Sequence, residues 1–209
     1  MNKKRSTISL HLLAAAGLIT AGCVGTRPVH YYTLRPTSAP TNQSKPDGPT
    51  IAVGMIAAPE ILQDSRIRYR SGANETGSYE YHRWESSPAM MVRDALVRAL
   101  RASGNYRFVM ESSSMATEDY LLRGRLHEFT EVDNPAIQTQ ISMHLELIDE
   151  KTNRHVWDRY FTGEEPTSGK NIEDVVASMD RNLQHIVASA STEIDQLLAQ
   201  RSRHTQDTQ

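Results

Sequence analysis

Side chains that could do chemistry are scattered along this sequence. The GxSxG, GxxxxGK[ST], HExxH and GxGxxG patterns of common hydrolases, nucleotide-binding proteins and zinc proteases are all missing. His127 and His144, on neighbouring predicted strands, are expected to face solvent, and no histidines stand at i,i+4 or HxH spacing. The acidic pairs Glu164-Glu165 and Glu173-Asp174 suit a turn and a helix N-terminus. The sequence therefore predicts no catalytic residue, no metal site and no cofactor, and a protein that is not an enzyme.

Cys23 is the only cysteine, and its surroundings predict acylation. Basic residues 3–5 precede an apolar segment, Leu12 to Ile19, that is too short for a hydrocarbon core of about 30 Å and is typical of a secretory signal. The segment ends at Thr20-Ala21-Gly22-Cys23, which resembles a bacterial lipobox with Thr20 in place of the usual leucine. In a lipobox the thiol is diacylated and the cysteine becomes the new N-terminus. The alternative is an ordinary signal peptide followed by a free or buried thiol.

Cleavage before Cys23 would remove three basic residues and no acidic residue, which changes the formal charge from −2 to −5. This balance excludes a dedicated nucleic-acid-binding protein, because no dense basic stripe could neutralise the phosphates. Val24 follows the cysteine, at the position where an aspartate would resemble the signal for retention in the inner membrane. We therefore expect a lipid anchor in the inner leaflet of the outer membrane, with the protein facing the periplasm.

The 209 residues suit one domain with short appendages. The expected organisation is a lipoprotein signal peptide (1–22), a lipidated tether (23–29), a single α+β domain (30–199) and a disordered polar tail (200–209). Apolar runs and alternating patterns predict strands at 30–34, 50–57, 66–70, 79–84 and 106–110, and an antiparallel meander from 120–127, 137–148 and 154–162.

Two amphipathic helices are predicted beside this sheet. The first begins at Ser87-Pro88 and ends at Gly104, a combination of N-cap, first-turn proline and C-terminal glycine. The second follows Asn171 as a single apolar stripe from Ile172 to Leu198, a helix of about 40 Å. The predicted fold is an antiparallel sheet with both helices packed on one face.

Short motifs follow the lipobox-like segment in this order: Tyr31-Tyr32-Thr33-Leu34; Ile51-Ala52-Val53, which leads to Pro59-Glu60-Ile61-Leu62; His82-Arg83-Trp84-Glu85; and Val156-Trp157. Over residues 23–199 this order resembles the ABC-type transport auxiliary lipoprotein family, which includes the lipoprotein of the paraquat-inducible envelope system. The resemblance implies partners: a protein with MCE domains and the associated ABC permease and ATPase, which move lipids between the two membranes. It implies a docking role without catalysis, and it carries over only Cys23, as the lipidation site.

Two groups of residues are candidates for the partner interface. Arg83 and Trp84 lie where a hairpin meets the first helix, and Trp and Arg often anchor interfaces. Ile194, Leu197 and Leu198 lie where the long second helix could extend beyond the sheet. For both groups the alternative is a place in the hydrophobic core.

Other functions stay open at this point. A different envelope lipoprotein of similar size, such as an activator of cell-wall synthesis or a lipopolysaccharide-assembly partner, would share the anchor and the α+β body. A lipid-anchored enzyme is a more distant alternative. A homo-oligomer is compatible with each of these readings.

Overall fold

The computed structural model describes residues 27–35, 44–72, 74–112, 118–133 and 135–206. The predicted signal peptide and Cys23 lie outside these residues, so lipidation stays a prediction. The described residues form eight strands and three helices. The strands are β1 (His30–Tyr32), β2 (Thr50–Ala57), β3 (Arg66–Ser71), β4 (Glu75–Trp84), β5 (Phe108–Glu111), β6 (Tyr120–Asp133), β7 (Ile137–Asp149) and β8 (Arg154–Pro166); the helices are α1 (Glu60–Gln63), α2 (Pro88–Ser103) and α3 (Ile172–Gln206).

All eight strands belong to one sheet with β6 at its centre. On one side, β6 pairs antiparallel with β7, and β7 pairs antiparallel with β8, which confirms the predicted meander. On the other side, β6 runs parallel to β2 along its first half and parallel to β3 at its end. β5 continues the sheet beyond β2, in parallel, and β4 and then β1 continue it beyond β3.

The sheet is mixed, so the prediction of a purely antiparallel sheet is wrong. Four strand pairs are parallel: β1 with β4, β2 with β5, β2 with β6 and β3 with β6. The almost continuous apolar run of β2 is typical of a central parallel strand, and its residues 50–54 are all buried. The chain between β2 and its parallel partner β5 includes the β3–β4 hairpin and α2, which supply the long crossover that parallel pairing needs.

Helix α2 has the ends that the sequence predicts. The Ser87 hydroxyl accepts a hydrogen bond from the backbone N–H of Met90 at 3.4 Å, and Pro88 occupies the first helical position. Gly104 ends the helix with φ of 71°, a left-handed conformation that costs a glycine little. These local signals set both ends of the helix within one residue of the prediction.

Helix α3 is longer than predicted. The Asn171 side chain accepts a hydrogen bond from the backbone N–H of Asp174 at 2.8 Å and caps the helix, which then continues to Gln206. The predicted disordered tail over 200–209 is therefore wrong for residues 200–206. Near this end Arg201 donates a hydrogen bond to Asp149 at 2.9 Å, and that contact holds the last turns against the sheet.

The core lies between the sheet and helices α2 and α3, which contact each other and the same face of the sheet. The opposite face of the sheet, which we call the open face, carries polar side chains. On β6, for example, buried Leu122 and Leu126 alternate with exposed Arg123 and Arg125. The fold thus has one covered face and one open face, and each candidate residue is on one or the other.

Candidate functional site

Trp84 lies in the core and Arg83 points to the opposite side of β4. The indole is 1% exposed and packs against Phe129, whose ring centroid is 5.7 Å away. Trp84 is therefore not available to a partner, and the interface prediction for this residue is corrected to a core position. Arg83 is half-exposed on the open face, and its Nε is buried without a hydrogen-bond partner among the described residues. Of this pair, only Arg83 stays a surface candidate.

Helix α3 lies on the sheet as far as Leu198, and residues 199–203 after it are exposed. Ile194 is fully buried, Leu198 is 5% exposed, and Leu197 is half-buried against the same core. The interface prediction for Ile194 and Leu198 is therefore corrected to core positions, while half-buried Leu197 stays a candidate. The reason is that β7 and β8 have thirteen residues each, about 43 Å of strand, which is long enough to cover the helix as far as Leu198.

Polar contacts fix this end of α3 in place. The Tyr106 hydroxyl donates a hydrogen bond to Asp195 Oδ1 at 2.6 Å, and burial together with the nearby carboxylate raises the pKa of Tyr106. Two residues earlier, Glu193 accepts hydrogen bonds from Trp157 Nε1 at 3.1 Å and from Arg159 Nε at 3.2 Å. Because these partners come from the β5 and β8 sides, α3 is held across the width of the sheet.

A buried polar network lies where α3 crosses β7 and β8. Asn182 Nδ2 donates hydrogen bonds to the backbone oxygens of Thr139 and Gly163, each at 3.0 Å. The hydroxyls of Thr139 and Ser178 are 3.0 Å apart, and Ser178 also donates to the backbone oxygen of Glu165. The Asn182 amide N–H groups and the two hydroxyls all have partners, so the network positions the helix on the sheet.

The predicted solvent-facing histidines are on the open face, as expected, and they do not meet. His144 Nε2 is 2.8 Å from Asp158 Oδ2, while the His127 ring packs 5.5 Å from the ring of Tyr160. No group of three potential metal ligands occurs among the residues that the structure describes. In the same part of the chain, no helix is long and apolar enough to cross a membrane.

A narrow cleft between α2 and α3 is lined by Leu34, Ala95, Leu183 and Val187, with Arg98 and Asp180 at its polar side. Its volume is about 100 Å³. Small-molecule sites usually have about 300–1,000 Å³, so this cleft is too small to hold a lipid.

The start of the domain is held by aromatic side chains of β1 and β4. The Tyr32 hydroxyl is 3.0 Å from His82 Nδ1, and the His30 ring stacks on His82 with centroids 5.4 Å apart. On the open face of the same strands, Arg83 pairs in register with Tyr31 of β1 and with Arg66 of β3. Neither Tyr31 nor Arg66 was among the interface residues predicted from the sequence: Tyr31 entered only through the Tyr31-Tyr32-Thr33-Leu34 motif, and the alternation of basic residues in β3 was the signal that could have found Arg66.

Comparison with known proteins agrees with this architecture. A solved structure from Xanthomonas campestris has a TM-score of 0.73 at 21% identity, with 85% of this chain and 99% of that chain covered. A second solved structure has a TM-score of 0.66 at 17% identity and covers 80% of this chain and 99% of that one. A third, from Chlamydia trachomatis, has a TM-score of 0.50 at 9% identity, with 73% and 98% covered. At these identities the likeness concerns the fold alone.

A comparison with curated proteins gives no significant match. The model of one family, described as the ABC-type transport auxiliary lipoprotein component, matches residues 32–191. That range begins in β1 and ends within α3, so it includes all of the sheet from β2 onward, helix α2 and the first twenty residues of α3. The chain therefore belongs to the ABC-type transport auxiliary lipoprotein family.

Proposed function

We propose that this protein is the membrane-anchored auxiliary subunit of an ABC transport system that moves lipids between the inner and outer membranes. In this role the protein binds the other subunits of the system, and a separate ATPase subunit hydrolyses ATP. Its partners are a protein with MCE domains and the associated permease and ATPase. The observation that carries the proposal is the family match over residues 32–191.

Two further observations support it. The segment Thr20-Ala21-Gly22-Cys23 resembles a lipobox, and the matched region begins nine positions after this cysteine. Several titratable side chains of the described domain form structural ion pairs, such as Arg123 with Glu146 and Arg181 with Glu165. A lipid-anchored body with ordinary structural ion pairs fits a docking subunit.

For location, we propose the inner leaflet of the outer membrane. Val24 follows Cys23, at the place where an aspartate would favour the inner membrane. Several acyl chains on one cysteine give an attachment far stronger than the reversible binding of a single myristoyl chain. The domain would then face the periplasm, where an MCE-domain protein that bridges the two membranes could reach it.

The test of the partner is co-purification after crosslinking in intact cells. The tagged lipoprotein should bring down the MCE-domain protein encoded with it, and should not bring down a murein synthase. Recovery of a murein synthase without the MCE-domain protein would contradict the proposal and favour an activator of cell-wall synthesis.

The test of the anchor is Cys23→Ser. The native protein should incorporate a radiolabelled fatty acid and stay with the membranes after a high-salt wash. The variant should take up no label and should be found as uncleaved precursor or in the soluble fraction. If the variant fractionates and migrates like the native protein, the proposed lipid anchor is wrong.

A further inference from the structure

We propose that the domain contacts the lipid surface through one defined part of its open face, which we call the anchor-proximal face: Arg27, Tyr31, Arg66, Tyr81 and Arg83. This inference rests on the proposed lipid anchor at Cys23. The domain is then oriented on the membrane: the β1 edge of the sheet lies against the lipid headgroups, and the β8 and β5 edges face the periplasm.

The length of the tether places this face near the membrane. Only three residues separate Cys23 from Arg27, so their Cα atoms are at most about 14 Å apart. β1 begins three residues after Arg27 and is bound in parallel to β4. An acylated Cys23 lies at headgroup level, so the β1 edge is the part of the domain that the anchor draws to the membrane.

The side chains at this edge form a row across three strands. Tyr31 of β1, Arg83 of β4 and Arg66 of β3 are aligned in register and therefore point to the same face of the sheet. That face is the open one, since the neighbouring Trp84 is in the core. Tyr31 is 66% exposed, so its ring is accessible to a surface outside the domain.

A second aromatic residue joins this row. The guanidinium of Arg27 lies over the ring of Tyr81, 5.8 Å from its centroid. Tyrosine is enriched at membrane interfaces because its ring is apolar and its hydroxyl stays hydrated. Tyr31 and Tyr81 thus give the face the chemistry of an interfacial belt.

The charge of the face suits anionic headgroups. Arg66 and Arg83 are directly opposite each other on neighbouring strands, and like charges in that position repel unless an anion lies between them. Asp64 partly compensates them, with its Oδ2 3.4 Å from Arg66 Nε. Counting the side chains of this region, four arginines (Arg27, Arg66, Arg68 and Arg83) stand against three carboxylates (Asp64, Glu80 and Glu85). The region is therefore basic in a chain whose net charge is negative.

The test labels one introduced cysteine, which is possible because Cys23 is the only native cysteine. Acylation consumes the thiol of Cys23, so one introduced cysteine can be labelled alone with an environment-sensitive nitrobenzoxadiazole dye. We would label Tyr31→Cys in the full lipidated protein, reconstituted in vesicles of phosphatidylethanolamine and phosphatidylglycerol that contain a headgroup nitroxide lipid. The expected result is emission at shorter wavelength and strong quenching by the nitroxide.

Two control positions distinguish contact of this particular face with the lipid from simple proximity to the anchor at Cys23. His30 is exposed and is next to Tyr31, but on the opposite face of β1. Phe108 is 60% exposed on β5, at the other edge of the sheet. Dye at His30→Cys and at Phe108→Cys should emit as in water and be quenched weakly.

Charge is tested in the Tyr31→Cys background. Replacing Arg66 and Arg83 together by glutamine should weaken the quenching, as should vesicles of phosphatidylcholine alone. Arg159→Gln, which removes an exposed arginine of β8, should leave the quenching unchanged. Equal quenching in all of these samples would overturn the assignment to anionic headgroups.

Three other outcomes overturn the proposal. If dye at positions 30, 31 and 108 reports the same aqueous surroundings on vesicles that retain the protein, the protein is anchored but the anchor-proximal face does not contact the lipid. If position 31 is shielded only after the MCE-domain protein is added, the face binds protein. If the protein with Cys23 intact is washed off the vesicles, the anchor and the proposed contact both fail.

Discussion

The ring of Trp84 meets the ring of Phe129 edge to face, with centroids 5.7 Å apart and ring planes at 77°. Trp84 ends β4 and Phe129 is on β6, so the contact crosses β3 and joins the β1–β4–β3 part of the sheet to its centre. Both side chains are 1% exposed. The last residue of β4, four positions before α2 begins, is therefore a central core contact of the fold.

Trp84→Ala should destabilise the domain by about 3 to 5 kcal/mol, since it removes a buried aromatic side chain and leaves a cavity. Urea denaturation followed by circular dichroism measures this change. Tyr31→Ala is the matched control: Tyr31 is exposed, so its loss should change the free energy of unfolding by less than about 0.5 kcal/mol. An unfolding free energy for Trp84→Ala equal to that of the control would contradict the core assignment.

The end of α3 should depend on the hydrogen bond between Tyr106 and Asp195. Asp195→Ala leaves the hydroxyl of Tyr106, which is 3% exposed, without its acceptor and should cost about 1 to 3 kcal/mol. Adding Tyr106→Phe removes the orphaned hydroxyl, so the double variant should be more stable than the sum of the two single changes predicts. Strict additivity, within about 0.5 kcal/mol, would mean that the hydrogen bond contributes nothing.

Gly163→Ala should destabilise the contact between β8 and α3. A Cβ at this position would collide with Asn182 Oδ1, and the Asn182 amide cannot move freely because it donates to Thr139 and Gly163. We expect a loss of about 1 to 3 kcal/mol. Gly54→Ala in β2 is the matched control, since the nearest atom to its Cβ would be 3.5 Å away. Equal thermal midpoints for the two variants would contradict the tight packing at Gly163.

Asp119 should contribute stability that depends on pH. Burial raises the pKa of this carboxyl, but hydrogen bonds from Lys151 and Thr50 outweigh burial and lower the pKa to about 2. A carboxyl with a lower pKa in the folded protein stabilises it above its ordinary pKa, and this stabilisation is lost as the pH falls to about 2.

Asp119→Asn should therefore cost about 1 to 2 kcal/mol at neutral pH. This cost is smaller than the full pKa shift would imply, because Lys151 is 78% exposed and solvent screens its interaction with Asp119. The difference between the native protein and the variant should narrow between pH 5 and pH 2, as measured by denaturant titrations at each pH. A difference that stays constant over this range would show that Asp119 does not titrate as described.

Local signals in the sequence predicted local structure correctly. Ser87, Pro88 and Gly104 act within one helical turn, so the ends of α2 could be predicted from neighbouring residues alone. The alternation in β6, β7 and β8 likewise predicted the antiparallel meander, because tight turns connect these strands.

Long-range relationships could not be predicted in this way. Parallel pairing of β2 with β6 joins residues about seventy positions apart, such as Ile51 and Tyr120, and no local pattern specifies such a partner. The apolar stripe of α3 was visible in the sequence, but whether Ile194 and Leu198 are covered depends on how far β7 and β8 extend beneath them. The alignment of Tyr31, Arg83 and Arg66 on the open face depends on the register of three strands, which no local pattern specifies either.

The proposed role is tested most directly by lipid transfer between two vesicle populations. Donor vesicles carry the ABC permease, its ATPase and the MCE-domain protein with a fluorescent phospholipid, and acceptor vesicles carry this lipoprotein. The account predicts ATP-dependent transfer that falls when the acceptor vesicles lack the lipoprotein or are mixed with the soluble Cys23→Ser protein. Equal transfer to acceptor vesicles with and without the anchored protein would contradict it.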